Sequence, residues 1–262
     1  QWGQAGGDSR YDWTSDGGQF GVDRSLASGG TLGATFSYAD TGIRDLAGGR
    51  NEVRSKMGGL YASYEPGRWG LGMTAFYSGN DNSTRRNVLV GSTQQQARAD
   101  FDSDSYGAGI RLSYRLTSEA APMLRPYIEA FYDHIEAADF SERNAGDGNL
   151  AGRVHGRDGL RGTVGLQLAD TFEGYGQLFR PSLNLGVTHQ FEDDRSTIDL
   201  QPFRDRPAFR TVGAPLDRTA YIARASLNMS LGKNASMALG YGGEFADDYS
   251  QHEGNLSFRV AW

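Results

Sequence analysis

Apolar and polar residues alternate in short segments along almost the whole chain, and this pattern predicts β-strands. A strand turns successive side chains to opposite faces, so each segment has one apolar face and one polar or small face. The clearest segment is 105–116, and no helical period fits it. Its apolar face consists of Tyr106, Ala108, Ile110, Leu112, Tyr114 and Leu116. Its other face consists of Ser105, Gly107, Gly109, Arg111, Ser113 and Arg115.

About 12 such segments can be counted, an even number, as bacterial membrane barrels require. They are 1–7, which begins part-way through a strand, 18–26, 31–38, 60–64, 69–77, 105–116, 124–133, 160–168, 182–191, 221–231, 237–245 and 254–262. Aromatic residues such as Trp69 and Tyr77 open or close the apolar rows, which is where a membrane interface places them. The pattern therefore favours strands that face lipid.

The connections between the segments alternate in length. Short turns are predicted at Ala27–Gly30, Pro66–Arg68, Thr117–Pro122, Glu173–Gly176 and Gly232–Asn234. Long polar loops are predicted at Asp8–Asp16, Gly42–Glu52, Asn82–Gln95, Ser141–Gly156 and Glu192–Asp217, with a shorter one at Ala246–Gln251. Short turns at one rim and long loops at the other are typical of outer-membrane barrels. We predict an all-β, 12-stranded antiparallel up-and-down transmembrane β-barrel, with residues 1–262 forming a single domain because the barrel must close in lipid.

The last segment ends on an aromatic residue with no polar tail after it. Leu256, Phe258, Val260 and Trp262 occupy every second position. Terminal residues of a soluble domain are usually frayed and solvated, so this end favours a strand that is paired on both sides and faces lipid. An ordinary strand of a soluble sandwich is the alternative interpretation of this segment alone.

The amino-acid composition mainly excludes structures and functions. Mean hydropathy is −0.55, and no apolar run approaches the ~18 residues of a membrane helix, whereas membrane strands are half polar. The absence of Cys excludes disulfides, thiolate metal sites and cysteine catalysis. A net charge of −6 argues against nucleic acid as a main partner, since phosphate binding needs a basic face.

The polar faces of the predicted strands carry many charges, which should line the lumen. The main candidates are Asp23, Arg111, Arg115, Glu129, Arg161, Arg224, Glu244 and Arg259, with Arg125, Asp133 and Arg180 beside them. They could brace a wet interior by pairing with one another. They could instead hold a plug segment or a passing polypeptide, or form a charged channel, and alternation does not separate these interpretations.

Candidates for catalysis are few, and we predict no catalytic residue, metal site or cofactor. His155 and Asp158 could imitate the Asp–His part of a catalytic site, but no third partner occurs at a fixed spacing. Acidic pairs such as Asp193–Asp194 and Asp247–Asp248 fall in loops and are expected to be solvated. Gly107 and Gly109 are strand glycines that should leave space in the lumen or relieve curvature.

The sequence resembles the C-terminal translocator domain of autotransporters, the type V secretion proteins of Gram-negative bacteria. The segments that carry the resemblance are GQFGVDRSL at 18–26, LYASY at 60–64 followed by Trp69, LRGTVGL at 160–166, GAPLDR at 213–218, YGGE at 241–244 and LSFRVAW at 256–262. Their order and spacing are specific together. Two residues depart from the family pattern: Trp262 ends the chain where Phe is commonest, and Gly242 stands where an acidic residue is expected.

The resemblance implies an outer-membrane barrel that anchors the protein and lets its own passenger reach the cell surface. It implies long loops outside the cell, the chain end in the periplasm, and a linker helix leading through the lumen from a passenger; neither helix nor passenger lies in this sequence. It assigns a barrel-assembly signal to Leu256, Phe258, Val260 and Trp262. The expected partners are outer-membrane lipid, the barrel-assembly machinery, periplasmic chaperones, and the protein's own passenger and linker helix, with the barrel a monomer. Alternatives are an outer-membrane barrel enzyme, either protease or esterase, and a free-standing porin.

Overall fold

The computed structural model describes residues 2–5, 11–27, 29–45, 48–118, 122–192, 195–202, 207–213 and 217–261. Within these ranges the chain forms strands and one 3₁₀ turn, Gly146–Gly148, and no helix is long and apolar enough to cross a membrane. The strands are β1 (Trp2–Ala5), β2 (Tyr11–Ser25), β3 (Gly30–Asp45), β4 (Arg50–Tyr64), β5 (Trp69–Val90), β6 (Thr93–Tyr114), β7 (Met123–Ile135), β8 (Ala138–Ser141), β9 (Leu150–Val154), β10 (Arg157–Ala169), β11 (Phe172–Gly174), β12 (Gln177–Gln190), β13 (Thr197–Pro202), β14 (Phe209–Val212), β15 (Thr219–Ser230), β16 (Ala235–Phe245) and β17 (Tyr249–Val260).

Twelve of these strands form a closed antiparallel ring. The order around the ring is β1, β2, β3, β4, β5, β6, β7, β10, β12, β15, β16 and β17. The two ends of the chain meet where β17 pairs with β1, with Trp2 opposite His252. The short strand β11 follows β10 in the chain and pairs with the first residues of β12. The prediction of a 12-stranded up-and-down barrel is therefore confirmed.

The barrel is built with its large apolar side chains on the outside. Phe20, Leu60 and Val164 are 70%, 63% and 67% exposed, and the buried hydrophobic residues are mostly alanines such as Ala97 and Ala99. A contiguous apolar surface of this kind needs a nonaqueous neighbour. The outward row of β5 runs from Trp69 to Tyr77, about 26 Å along the strand, which matches the ~25 Å apolar band of membrane barrels.

Three of the long loops predicted from the sequence are wrong, because strands continue through them. The stretch predicted as a loop at Asp8–Asp16 contains the start of β2 at Tyr11. The stretch predicted as a loop at Gly42–Glu52 contains the ends of β3 and β4, and only residues 46–49 separate the two strands. At Asn82–Gln95, β5 and β6 run on to a two-residue turn after Val90. Both faces are polar here, so the alternation disappears while the backbone ladder persists. On the inner face, side-chain hydrogen bonds connect β5 to β6, such as the one that Asn82 Nδ2 donates to Ser103 Oγ at 2.9 Å.

The other two long loops contain a second small sheet. Strands β8 and β9 lie in the predicted loop at Ser141–Gly156 and just before it, and β13 and β14 lie in the predicted loop at Glu192–Asp217. They pair in the order β14, β13, β9, β8, and we call this the cap sheet. Its strands have four to six residues, too short to give a clear alternating pattern.

The cap sheet crosses the mouth of the barrel at the end opposite the short turns. Its apolar side chains share a cavity of about 370 Å³ with inward-facing residues of β3 and β6. Phe140 of β8 packs on Phe101 of β6, with ring centroids 5.7 Å apart. Leu200 of β13 lines the same cavity as Ile43 of β3. Because β13 leaves the ring between β12 and β15, about six positions from β3 in a ring of twelve, its contact with this cavity lies across the opening from its own strands.

Candidate functional site

The lumen wall is layered, with aromatic rings lying flat against glycines. A Cβ on Gly165 of β10 would overlap the ring of Tyr127 on β7, so only glycine leaves room for that ring beside the wall. The guanidinium carbon of Arg111 lies 3.6 Å from the centre of the Tyr127 ring on its lumen side. Cation–π contacts of this kind hold an arginine in place without a carboxylate partner. The three residues form one stack of glycine, ring and guanidinium.

A second stack stands beside the first. A Cβ on Gly109 would lie 2.8 Å from the ring of Phe131, which is stacked on Phe76 with centroids 6.1 Å apart. The guanidinium carbon of Arg161 lies 5.5 Å from the Phe131 centroid. A Cβ on Gly107 would likewise meet the ring of Phe76. The strand glycines therefore let bulky rings lie along the wall, which keeps the centre of the lumen open.

Five of the candidate lumen charges meet around one polar cavity of about 180 Å³. They are Arg111, Glu129, Arg161, Arg224 and Glu244. Two hydroxyls at the cavity wall, Thr163 and Thr188, hydrogen-bond each other at 3.1 Å. Cations and carboxylates alternate around this space, so it suits water and polar chain but not lipid.

Asp23 and Arg259 form a separate pair near the seam where the chain ends meet. Arg259 donates a short hydrogen bond to one carboxylate oxygen of Asp23, and Tyr61 donates to the other at 2.7 Å. The Tyr61 ring in turn covers Gly33 of β3. This group ties β17 to β2 and β4 through side chains across the lumen face.

Arg115 belongs to neither group. It follows β6 at the short-turn end, and its buried Nε has no hydrogen-bond partner among the described residues. Nearby, Arg125 is bound by Glu65 at 2.7 Å. On the other side of this end, a cavity of about 530 Å³ is lined by Arg180, Lys233 and Arg259. The short-turn end of the lumen is therefore rich in arginine and lysine side chains.

Two lumen residues of β17 were missed by the sequence reasoning. Tyr249 donates to Glu244 at 2.5 Å, and Arg224 donates to Glu253 at 3.3 Å. They were missed because the last strand was predicted to begin at residue 254, five residues too late. A Cβ on Gly242 would lie 2.6 Å from Glu253 Oε1. The family pattern predicts an acidic residue at position 242. In this chain the carboxylate of Glu253, on the neighbouring strand, lies beside that position.

The cap sheet is held against the wall by a buried carboxylate. Glu142, 8% exposed, follows β8 and accepts from Arg86 of β5 at 3.0 Å and 2.6 Å. It also accepts from the backbone N–H of Leu150 at 2.8 Å. Arg86 donates further to the carbonyl of Gly148 at 3.0 Å. We call this arrangement of Arg86 and Glu142 the latch.

The histidines do not pair as the sequence suggested. His155 bonds Asp199 at 2.7 Å rather than Asp158, and Asp158 bonds His134 at 2.9 Å. Hydrogen bonds from Arg210 first, and then from His155, hold the pKa of Asp199 well below its usual value. Asp199 thereby joins β13 to β14 and to the residue after β9. Among the described residues, no group of His, Asp and Glu could hold a metal ion.

The residues assigned to an assembly signal lie on the outer face of β17. Leu256, Phe258 and Val260 are 59%, 67% and 62% exposed, in one row pointing away from the lumen. Trp262 lies outside the described residues, as does the acidic pair Asp193–Asp194.

An apolar outer wall, a wet charged lumen and a covered mouth define a membrane-spanning translocator barrel. The chain belongs to the autotransporter beta-domain family, whose model matches residues 1–242. It is accordingly an outer-membrane translocator barrel.

Solved structures share the fold. The translocator domain of autotransporter NalP from Neisseria meningitidis superposes with a TM-score of 0.77 at 14% identity, covering 99% of this chain and 84% of that one. The beta domain of the Bordetella autotransporter BrkA gives 0.68 at 20% identity, covering 100% and 95%.

Curated relatives are much longer than this chain. An extracellular serine protease of Serratia marcescens is 25% identical over 259 residues, which is 97% of this chain and 24% of that protein. Esterase EstA of Pseudomonas aeruginosa is 24% identical over 250 residues, which is 93% of this chain and 38% of that protein.

Proposed function

We propose that the lumen of this barrel is the route by which the protein's own passenger crosses the outer membrane. The observation that carries the proposal is the layered wall, in which rings lie flat on glycines and leave polar, charged surface toward the centre. A polypeptide in transit exposes backbone N–H and C=O groups, which need water or polar partners. The charges of Arg111, Glu129, Arg161, Arg224 and Glu244, three positive and two negative, supply such partners of both signs.

The short-turn end is proposed to face the periplasm and the cap sheet the cell exterior. Support comes from the shape of the two ends, since outer-membrane barrels have short periplasmic turns and long external segments. The positive short-turn end, with Arg180, Lys233 and Arg259 around its cavity, would receive the linker helix. The cap sheet would have to move aside, by release of the latch, for the passenger to leave.

The outer row of β17 is proposed to be read during assembly by the barrel-assembly machinery, after periplasmic chaperones deliver the unfolded chain. Support comes from its place on β17, the strand that closes the ring by pairing with β1 at residues 249–252. Phe258 points to lipid and makes no lumen contact, so its side chain is available until the barrel has inserted.

The barrel itself is proposed to have no catalytic role. Asp199 is engaged by both His155 and Arg210, so it is bound as a structural anion in the cap sheet. The protease and esterase names of relatives belong to proteins of which this chain covers a minor part. The test is a His155→Ala variant assayed with peptide and ester substrates. Loss of a hydrolysis that the parent barrel performs would favour the enzyme alternative.

The translocator proposal is tested by electrophoresis and bilayer recording of the refolded chain. We expect mobility that changes on boiling, because a closed barrel resists detergent unfolding, and a small conductance limited by the cap sheet. Fusing a reporter passenger before residue 1 should place the reporter on the cell surface. A steady large conductance with no surface display would instead indicate a free-standing porin, and absence of both conductance and display would refute a translocator.

A further inference from the structure

Five arginines stand side by side across five neighbouring segments of the wall beyond the membrane band. Arg44 of β3 lies opposite Arg50 of β4, and Arg50 lies opposite Arg85 of β5. Arg85 lies opposite Arg98 of β6, which bridges to Arg143 after β8. Neighbouring strands are about 4.8 Å apart, so the row is about 19 Å long. We call it the arginine row.

By register the arginine row lies on the outer face of the wall, although Arg50 and Arg85 also border the cavity under the cap sheet. Directly opposed residues project to the same face of a sheet, and every second residue along a strand shares that face. Arg44 shares its face with Tyr38, and Arg85 shares its face with Tyr77, both of which are exposed on the outer wall. The row is thus the continuation of the lipid-facing surface, six to eight residues beyond those tyrosines.

Such a row is unfavourable for the sheet alone, because like charges directly opposite each other destabilise strand pairing. Three carboxylates offset part of the charge. Asp12 lies opposite Arg44, Glu52 is 3.5 Å from Arg50 and 4.0 Å from Arg85, and Asp100 is 3.6 Å from Arg98 and bonded to Arg143. Five guanidinium groups against three carboxylates leave a positive strip on a chain whose net charge is −6. That strip suits an anionic partner.

The height of the arginine row above the membrane indicates which anion it can meet. At a strand rise of about 3.3 Å and a tilt of about 40°, it stands about 15–20 Å above the outer aromatic residues. This is the saccharide layer of the outer leaflet, and the row faces sideways into it. Below the row the same outer face is acidic, because Arg54 lies opposite both Asp40 and Asp81. An anionic partner would therefore be held at the level of the row itself.

We propose that the arginine row binds lipopolysaccharide of the surrounding outer leaflet through the phosphates and carboxylates of its core saccharide. Arginine matches this chemistry because its planar guanidinium bonds a phosphate or carboxylate through two N–H groups at once. The proposal rests on the orientation given under the proposed function, with the cap sheet outside the cell.

The test is a titration of the refolded chain, in zwitterionic detergent, with purified lipopolysaccharide that carries a phosphorylated core. The readout is the fraction shifted on a native gel, repeated with dephosphorylated lipopolysaccharide, with the lipid anchor alone, and with heparin as a soluble polyanionic glycan. The variant is Arg50→Gln with Arg85→Gln. The control is Arg24→Gln with Arg68→Gln, two exposed arginines outside the row. Mobility before and after boiling shows that each variant is folded.

We expect the double variant in the row to weaken binding of the phosphorylated form about tenfold, since charge-assisted bonds to phosphate are lost. The control should stay within about twofold. Binding should fall as NaCl rises from 50 to 300 mM, because exposed charges are screened. For the unaltered chain, equal affinity for phosphorylated and dephosphorylated forms would overturn the proposal even if the variants failed to fold.

Three further results would also overturn the proposal. They are equal losses in the two double variants, equal binding of the lipid anchor alone, and binding of heparin without lipopolysaccharide. Because binding is read in detergent, it does not depend on export. The proposed orientation fails separately, if protease added to intact cells cuts the short turns and spares the cap sheet.

Discussion

Breaking the latch should open the mouth of the barrel. Glu142 is the residue to change, because it is buried and accepts two hydrogen bonds from Arg86 that join the cap sheet to β5, and a third from Leu150 within the cap sheet. In a Glu142→Ala variant, Arg86 keeps only its bond to the carbonyl of Gly148, and the N–H of Leu150 loses its acceptor. The closed position of the cap sheet loses these bonds, whereas the barrel below it is unchanged.

The size of the effect follows from the geometry. Hydrogen bonds to a charged group contribute roughly 1.5–3 kcal/mol when buried. Arg86 is 42% exposed, so water replaces part of what it loses. We therefore expect closure to weaken by about 2 kcal/mol in total, which corresponds to about a thirtyfold shift in the ratio of open to closed states. A Glu142→Gln variant keeps an acceptor for the N–H of Leu150, so its ratio of open to closed states should lie between those of the parent and Glu142→Ala.

The assay is single-channel recording of the refolded chain in a planar bilayer, scored as the fraction of time in the large-conductance state. Asp139→Ala is the matched control, since Asp139 lies on β8 of the same sheet and makes only an exposed contact to Arg153 at 3.6 Å. Exposed pairs contribute roughly 0–1 kcal/mol, so this control should stay within about twofold to threefold. Equal behaviour of Glu142→Ala and Asp139→Ala would refute the latch and the assignment of the cap sheet as a cover.

Three other changes test separate parts of the account. Gly165→Ala should push the Tyr127 ring off the wall, lowering stability by about 1–3 kcal/mol in urea unfolding and narrowing the conductance; an unchanged midpoint would argue against the layered wall. Replacing Phe258 and Trp262 with Ser should cost little in a barrel folded in detergent yet block assembly in cells, and normal outer-membrane levels would show that the row is not a signal. Because the pKa of Asp199 is lowered on folding, its contribution to the cap sheet is present above its unfolded pKa of about 3.8 and is lost as pH falls through the folded value. Channel opening should therefore rise below about pH 4 in the parent but not in Asp199→Asn, and identical pH profiles would contradict this.

The barrel could be predicted from sequence because lipid imposes a strict alternation on every strand that crosses it. The segment 105–116 shows this, since its outward residues from Tyr106 to Tyr114 are all apolar or alanine. Beyond the membrane both faces of a strand meet water. The pattern then vanishes although β5 and β6 continue to Val90 and Thr93. Alternation therefore located the membrane part of each strand and not its end.

The candidate site was predictable one residue at a time but not as a set of contacts. Period-two alternation marks Arg111 and Arg161 as residues of the polar face. It does not show that rings beneath them rest on Gly165 and Gly109, because those contacts join different strands and depend on register. Glu253 would have been found by extending the alternation of the last strand back to Tyr249. The latch joins residues 56 positions apart in a region of very short strands, so no local sequence pattern predicts it.

The most direct test of the lumen as the export route is site-specific crosslinking during export. Asn184 and Leu185 are adjacent on β12, with Asn184 lining the lumen cavity and Leu185 44% exposed on the outer wall. A photo-crosslinking amino acid is placed at each position in a full-length protein whose passenger is stalled in transit. The account predicts crosslinks to the passenger from position 184 and none from position 185. Equal crosslinking from both positions, or crosslinking from 185 alone, would contradict passage through the lumen.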